Sequence, residues 1–323
     1  MADHRVDAET AGQGLRRRDV LKLAGCGLAA AATAGSGVAI GADRTLTIGN
    51  IGWDEDVALA YLSKVLLEQE LGYRRVIINK RGVEALFRGV ANGGLDTFQD
   101  VWLPDTHRQY WQQYGQHMER LDSWYLGTAS LGLTVPDYVS AHSIDDLNKY
   151  PDRFRRRIVG IEPGAGEMRI VSNRVMPGYQ LNAYRLVASS TPHMLAELES
   201  ALHHKAPIVV TLYKPHWAFT VYRIRYLDDP KGLISRSKEQ LYTVVRRGLQ
   251  QDRPDAYAFL NAMRLSPDQL GRLELAINLA GDPEEGVKNW LNADRPFGAR
   301  RGLNRDAVQP WIDAALRARA NAQ

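Results

Sequence analysis

The run Gln99-Asp100-Val101-Trp102-Leu103-Pro104-Asp105-Thr106-His107 holds side chains that could grip a small molecule charged at both ends. An indole face attracts a cation, and an imidazole N–H donates to an anion. Two more aromatics stand in similar surroundings. Trp53 follows the strand-like run Leu46 to Ile51, and Tyr213 follows Pro207 to Thr211. A desolvated cation over one such face gains on the order of 2 kcal/mol. Three faces therefore supply roughly 6 of the ~8 kcal/mol that micromolar binding needs. A quaternary ammonium suits this cage best, because it makes no N–H hydrogen bonds and loses less hydration than a primary amine.

A fourth stretch, Gly160-Ile161-Glu162-Pro163-Gly164-Ala165-Gly166, carries no aromatic. Its glycines allow close backbone approach, and its amides precede a helix start, the ingredients of an anion site. With His107 opposite, a carboxylate would be held from two sides. Other tempting residues have plainer readings. His216 and Trp217 brace the loop beneath Tyr213, and Trp111, Trp124, Trp290 and Trp311 pack helices or strands. Glu55 is a first-turn acid that stabilises its helix; the other reading places its charge near the cation, which would favour choline. Ser130 lies near a crossing strand, within possible reach of a ligand.

The elements that must position these residues follow from periodicity. Leu46–Ile51 alternates as a strand, Asp54 caps a helix carrying Val57, Ala60, Tyr61, Val65 and Leu66 at helical spacing, and Val76–Ile78 is the next strand. Val83–Ala91 reads as a helix and Asp96–Val101 as a strand, which puts Trp102 on a strand-to-helix loop and His107 in a first helical turn capped by Asp105 or Thr106. This β-α-β-α-β order is that of an open, mainly parallel sheet. Ligands bind such sheets at the carboxyl ends of the strands. After the strand Leu131–Pro136 the plan restarts. A helix over 144–150, strands over 157–161, 184–187 and 207–211, and helices over 164–176 and 192–204 make a second α/β unit. Strands over 222–227 and 241–245 lead back, and helices over 254–263, 267–279, 283–292 and 306–319 complete the chain. Two open mixed sheets flanked by helices, joined by crossing strands, leave a cleft between two lobes.

Composition narrows the function. The 323 residues suffice for two lobes. Net charge is only +4, with Lys and Arg dispersed among nearly as many acids, so no nucleic-acid footprint exists. G-x-S-x-G, H-E-x-x-H, C-x-x-C, P-loop and dinucleotide motifs are absent, and of eight His only His203 and His204 adjoin. An exported enzyme is the weaker class; no catalytic residue, cofactor or metal is expected. Residues 1–42 read as an export signal: Arg17-Arg18-Asp19-Val20-Leu21-Lys22 fits a twin-arginine pattern, followed by an Ala/Gly-rich apolar run. Cleavage after Ala42 is one outcome. Lipidation at Cys26, in Leu23-Ala24-Gly25-Cys26, is the other, although most of the apolar run lies beyond it. Cys26 is the single cysteine, so no disulfide framework is possible.

Several of these stretches together carry a resemblance. Gly52-Trp53 with Asp54-Glu55-Asp56-Val57-Ala58, Asp100 to His107, Gly160 to Gly166, Ile208 to Trp217, Tyr226 to Gly232 and Asp282-Pro283-Glu284-Glu285 resemble the substrate-binding proteins of glycine betaine/choline ABC transporters. The resemblance runs in order from 45 to 295. It implies a two-lobed type II periplasmic-binding-protein fold, with 43–133 in lobe 1, 134–228 in lobe 2, and 229–323 returning to lobe 1. It also implies a monomeric extracytoplasmic or periplasmic receptor that delivers a small quaternary ammonium solute, such as glycine betaine, choline or carnitine, to a membrane permease. Carried over by position, the cage is Trp53, Trp102 and Tyr213, and the carboxylate grip is His107 with the amides of Gly160 and Ile161. Two positions depart from the family. Leu212-Tyr213 stands where Gly-Trp is usual, and Glu167 stands where an apolar residue is usual.

Overall fold

Apolar runs bounded by Gly and Pro turns become two five-stranded sheets in the computed structural model, which describes residues 44–234, 238–293 and 303–323. The export-signal reading of residues 1–42, Cys26 included, lies outside the described residues. The first sheet contains β1 (Thr45–Asn50), β2 (Arg75–Lys80), β3 (Thr97–Leu103), β4 (Met118–Ser123) and β10 (Gln240–Arg246), in the order β2-β1-β3-β10-β4. β1 runs parallel to β2 and β3, whereas β10 runs antiparallel to β3 and β4. The second sheet contains β5 (Ser130–Pro136), β6 (Arg157–Val159), β7 (Arg185–Val187), β8 (Val210–Lys214) and β9 (Ile224–Tyr226), in the order β7-β6-β8-β5-β9. β6 is parallel to β7 and β8, and β5 is antiparallel to β8 and β9. Each sheet thus has four strands running one way and one antiparallel strand delivered by a chain crossing, β10 in the first and β5 in the second.

Central strands are buried on both faces, which explains their continuous apolar character. Every residue of β3 is buried, polar Thr97, Gln99 and Asp100 included. The helix α1 (Asp54–Gln69) lays Ala58, Leu59, Leu62, Val65 and Leu66 into the same core. The helix over Pro267–Ala280 starts in a capping box between Ser266 and Gln269 and stops at left-handed Gly281. No helix among the described residues is long and apolar enough to cross a membrane.

Three local expectations change. Trp102 and Tyr213 sit inside β3 and β8 rather than on the loops after them, because both strands continue their ladders to Leu103 and Lys214. Asp54 is the first residue of α1 and Trp53 its N-cap, with no side-chain capping bond. His107 is the N-cap of α3 (Arg108–Tyr114) rather than a first-turn residue, and neither Asp105 nor Thr106 caps it. Their amides turn instead to Glu239, described below.

Candidate ligand-binding site

Between the two sheets lies a tight hollow of about 10 Å³, lined by Trp53, Glu55, Trp102, Thr106, Leu131, Ile161, Ala165, Gly166, Glu167 and Tyr213. All three expected cage rings reach it. Trp53 follows β1 through Gly52, whose φ of +102° favours a residue without a side chain. Trp102 and Tyr213 come from the last turns of β3 and β8. The Tyr213 ring centroid is 6.2 Å from Trp53 and 5.7 Å from Trp102, the latter edge-to-face. A cation about 5 Å from each of three ring centroids needs those centroids about 8 to 9 Å apart. The rings must therefore separate by some 2 Å or more to admit a trimethylammonium group.

Each indole is oriented by a carboxylate. Trp102 Nε1 donates to Asp100 Oδ1 at 2.7 Å, within its own strand. Trp53 Nε1 donates across the cleft to Glu162 Oε2 at 3.0 Å, and Glu162 is held in turn by the Thr191 amide and hydroxyl, both at 2.9 Å. The Tyr213 hydroxyl is buried beside Glu55 without a hydrogen-bond partner. Further links join the two sides. Trp217 Nε1 donates to Asp54 Oδ1 at 2.7 Å, His216 Nε2 lies 3.2 Å from Asp54 Oδ2, and Arg169 donates to the Thr106 carbonyl at 2.9 Å. His216 also packs edge-on to Tyr213 at 5.2 Å, so it and Trp217 do brace that side of the site. At Gly166 a Cβ would lie 2.6 Å from the Thr106 carbonyl oxygen, so only glycine permits this approach.

The expected tail grip is divided. Ile161 lines the hollow, and its N–H meets no acceptor among the described residues. The Gly160 N–H does not face the hollow freely: it extends the β6–β7 ladder and donates to the Val187 carbonyl at 2.9 Å. His107 stands behind Trp53, stacked at 6.1 Å with an interplanar angle of 17°. Its Nδ1 accepts from the Trp102 amide at 3.1 Å, so in the neutral ring the proton sits on Nε2. That Nε2 is buried and unpartnered. Burial, with Arg169 nearby, pushes the His107 pKa down to about 3, and the ring is neutral at any ordinary pH.

One buried acid escaped sequence reading, and two that it named border the hollow. Glu239, just ahead of β10, accepts from the Thr106 amide at 2.9 Å, the Thr106 hydroxyl at 3.0 Å and the Asp105 amide at 3.2 Å, and so shapes the loop that carries His107. No local signal marks it, since 133 residues separate it from Thr106. Glu55, in the first turn of α1 as expected, is fully buried and lines the hollow. It belongs to a buried group with Asp56, Asp100 and Glu274. Burial raises the pKa of all four, and mutual repulsion adds to it for Glu55, Asp100 and Glu274. Asp56, which accepts from the Ile51 and Gly52 amides, is pushed up to about 7. Glu167, whose contacts were unknown from sequence, also lines the hollow. Ser130 does not; its hydroxyl pairs with Tyr226 at 3.3 Å. Among the described residues no His, Cys, Asp and Glu cluster could hold a metal ion.

Comparison with known proteins decides the family. Residues 44–293 match the substrate-binding domain of ABC-type glycine betaine transport systems. The chain belongs to this family. Its members are transporter substrate-binding domains, not enzymes, and they work outside the cytoplasm. The glycine betaine/carnitine transport binding protein GbuC of Listeria monocytogenes is 33% identical over 187 residues, 57% of this chain and 56% of that protein. The chain thus spans little more than half the length of that relative. Lactococcal OpuAC, solved closed around glycine betaine, is 32% identical with a TM-score of 0.73, over 84% of this chain and 100% of the other. The Borrelia burgdorferi glycine/betaine/L-proline-binding protein ProX is 29% identical with a TM-score of 0.74, over 83% and 96%. A choline-binding protein in complex with choline, 22% identical at a TM-score of 0.74, shares the fold. These structures carry the type II periplasmic-binding-protein architecture expected from the sequence.

Proposed function

We propose that this chain is the solute-receiving component of an ABC importer, and that it binds glycine betaine or a related quaternary ammonium zwitterion between its two lobes. One observation carries this reading: rings from both sheets, Trp53 and Trp102 from the first and Tyr213 from the second, border one hollow. Their faces would hold the trimethylammonium group. The Ile161 amide and His107 Nε2, both lacking protein acceptors, would hold the carboxylate; the Gly160 amide would contribute only by leaving Val187. The lobe boundaries are taken near 133 and 228; the first falls inside β5 (Ser130–Pro136), a strand of the second sheet, and the second lies just after β9, which ends at Tyr226. Delivery is to a membrane permease, by a monomeric receptor exported on a twin-arginine signal and either cleaved near Ala42 or lipidated at Cys26.

A choline or carnitine preference is the second reading, favoured by Glu55, whose carboxyl borders the hollow and would place negative charge beside the cation once it loses the proton that burial favours. Titration of the purified protein with glycine betaine, carnitine, choline and proline betaine, followed by tryptophan fluorescence and calorimetry, separates these readings. Saturable quenching or a heat signal in the micromolar range is expected for at least one of them. Silence toward all four at millimolar concentration would remove the proposal.

A further inference from the structure

Glu167 enters the hollow from the second-sheet side, in the first turn of α4 (Gly166–Ile170). Its carboxyl is buried, and neither oxygen has a hydrogen-bond partner. The backbone amides of Gly132 and Leu212 oppose its neutralisation, yet neither reaches hydrogen-bonding geometry. The groups that face it from other elements are Tyr226 of β9, which donates to the Ser130 carbonyl at 3.0 Å, and Tyr213 of β8 and Glu55 of α1, which share the hollow. None of them is a cation. Arg169, two residues along, is turned away to the Thr106 carbonyl. A carboxylate so enclosed has no charge partner and no donor, so the neutral acid is its stable form.

The same wall carries the Ile161 amide, while the neighbouring Gly160 amide is occupied by Val187. A carboxylate tail placed there meets one free backbone donor where two were expected. A neutral carboxyl can act as the missing one, because its O–H donates and an O–H···O⁻ bond is among the strong hydrogen bonds. We propose that Glu167 is a specificity-determining residue of this site, donating its carboxyl proton to the acidic tail of a bound zwitterion. The inference rests on the reading of the hollow as a quaternary ammonium site.

Ligand choice then depends on pH in a definite direction. Burial raises the Glu167 pKa to about 8. Below that value Glu167 offers a donor. Above it, an ionised Glu167 faces the ligand carboxylate with like charge, and affinity for the zwitterion falls about tenfold per pH unit. Choline ends in a hydroxyl that can donate to the ionised form, so its affinity does not fall with it. Titration of Glu55, Asp56, Asp100 and Glu274 acts on the cationic end that both ligands share, and it cancels in the ratio of their dissociation constants.

Calorimetric titrations with glycine betaine and choline between pH 6.5 and 9.5 test this. For the unaltered protein, the ratio of the glycine betaine Kd to the choline Kd should rise about 30-fold over that range. E167Q, whose amide donates at every pH, should keep a constant ratio. E167L should weaken glycine betaine relative to choline by tenfold or more at pH 7. A flat ratio in the unaltered protein, or an E167L ratio equal to it at pH 7, would overturn the proposal. Should the protein take glycine betaine but not choline, its Kd profile is compared directly with that of E167Q, and parallel profiles would overturn it equally. Binding of neither ligand by the unaltered protein would instead defeat the quaternary ammonium reading, and this inference with it.

Discussion

The two sheets repeat one strand order and place different chemistry on it. β3 and β8 occupy the same central position, and each ends in an aromatic two residues before a proline joined by a cis peptide bond: Trp102 before Pro104, Tyr213 before Pro215. After β1 the chain offers an indole at Trp53; after the corresponding β6 it offers backbone and the Ile161 amide. Beneath the first-sheet rings lie the buried acids Glu55, Asp56, Asp100 and Glu274, whereas the second-sheet wall holds Glu167. A repeated scaffold supplies matching positions. The residues placed there divide the work, with cation-attracting faces backed by buried acids on one side and donors for an acidic tail on the other.

The largest effect should come from the cation side. Trp102→Ala removes a buried ring that the Asp100 carboxyl holds in place, and it should weaken binding of any quaternary amine by about 2 kcal/mol or more, roughly 30-fold, in calorimetry. Tyr213→Ala should cost less, since a phenol face attracts a cation less than an indole does. Equal losses would mean that the two lobes contribute alike, and unchanged affinity in Trp102→Ala would mean that the cage is misplaced.

The tail side should show selectivity rather than a general loss. A hydrogen bond to a charged group contributes about 1.5 to 3 kcal/mol. His107→Ala should therefore weaken glycine betaine by about tenfold and choline by much less, compared in parallel titrations. Equal losses for both ligands would make His107 merely the backing of Trp53, on which it stacks.

Much of this division could be read from the chain, and the part that could not has a physical cause. The three rings and the glycine loop stand out because strand runs and glycine turns are local signals, whereas the Ile161 amide is what the family resemblance implies. Helices at Val83–Ala91 and Pro283–Asn292 fall where periodicity puts them. β4 was missed, since Met118–Ser123 mixes charged and apolar residues. Strand ends were misjudged at Trp102 and Tyr213 because ladder pairing with β10 and β5 carries the strands past the point where local pattern stops. The role of Glu239 and the burial of Glu55 and Glu167 arise from contacts between distant segments. Gly160 was assigned a free amide because sequence cannot show that β7 takes it.

The acids under the first lobe should also leave a mark on stability. Asp56 has its pKa raised to about 7, so the folded protein binds this proton more tightly than the unfolded chain does. Its contribution is then fully present below about pH 4 and is lost as pH rises toward 7. Asp56→Asn keeps an oxygen for the Ile51 and Gly52 amides and removes the titration. The melting temperature of this variant relative to the unaltered protein should rise by about 2 °C or more between pH 5 and pH 8, measured by calorimetry. A difference independent of pH would mean that this carboxyl stays ionised, and the first lobe would carry more negative charge than drawn above.

The smallest effect tests whether the lobes act on each other's rings. Trp102 is oriented within its own strand by Asp100, but Trp53 is oriented from the opposite sheet by Glu162. Glu162 accepts three hydrogen bonds, from Trp53, the Thr191 amide and the Thr191 hydroxyl. Glutamine offers one oxygen to these donors, and its NH₂ must face another donor, so Glu162→Gln loosens the link without emptying the cage. The link also spans the two lobes, so it resists their separation while a ligand is held. Its weakening should speed dissociation by about two- to fivefold, or ~0.5 to 1 kcal/mol, and leave association nearly unchanged in stopped-flow fluorescence. A slower association instead would mean that Glu162 prepares Trp53 before the ligand arrives, making the second lobe a builder of the cage rather than its clasp.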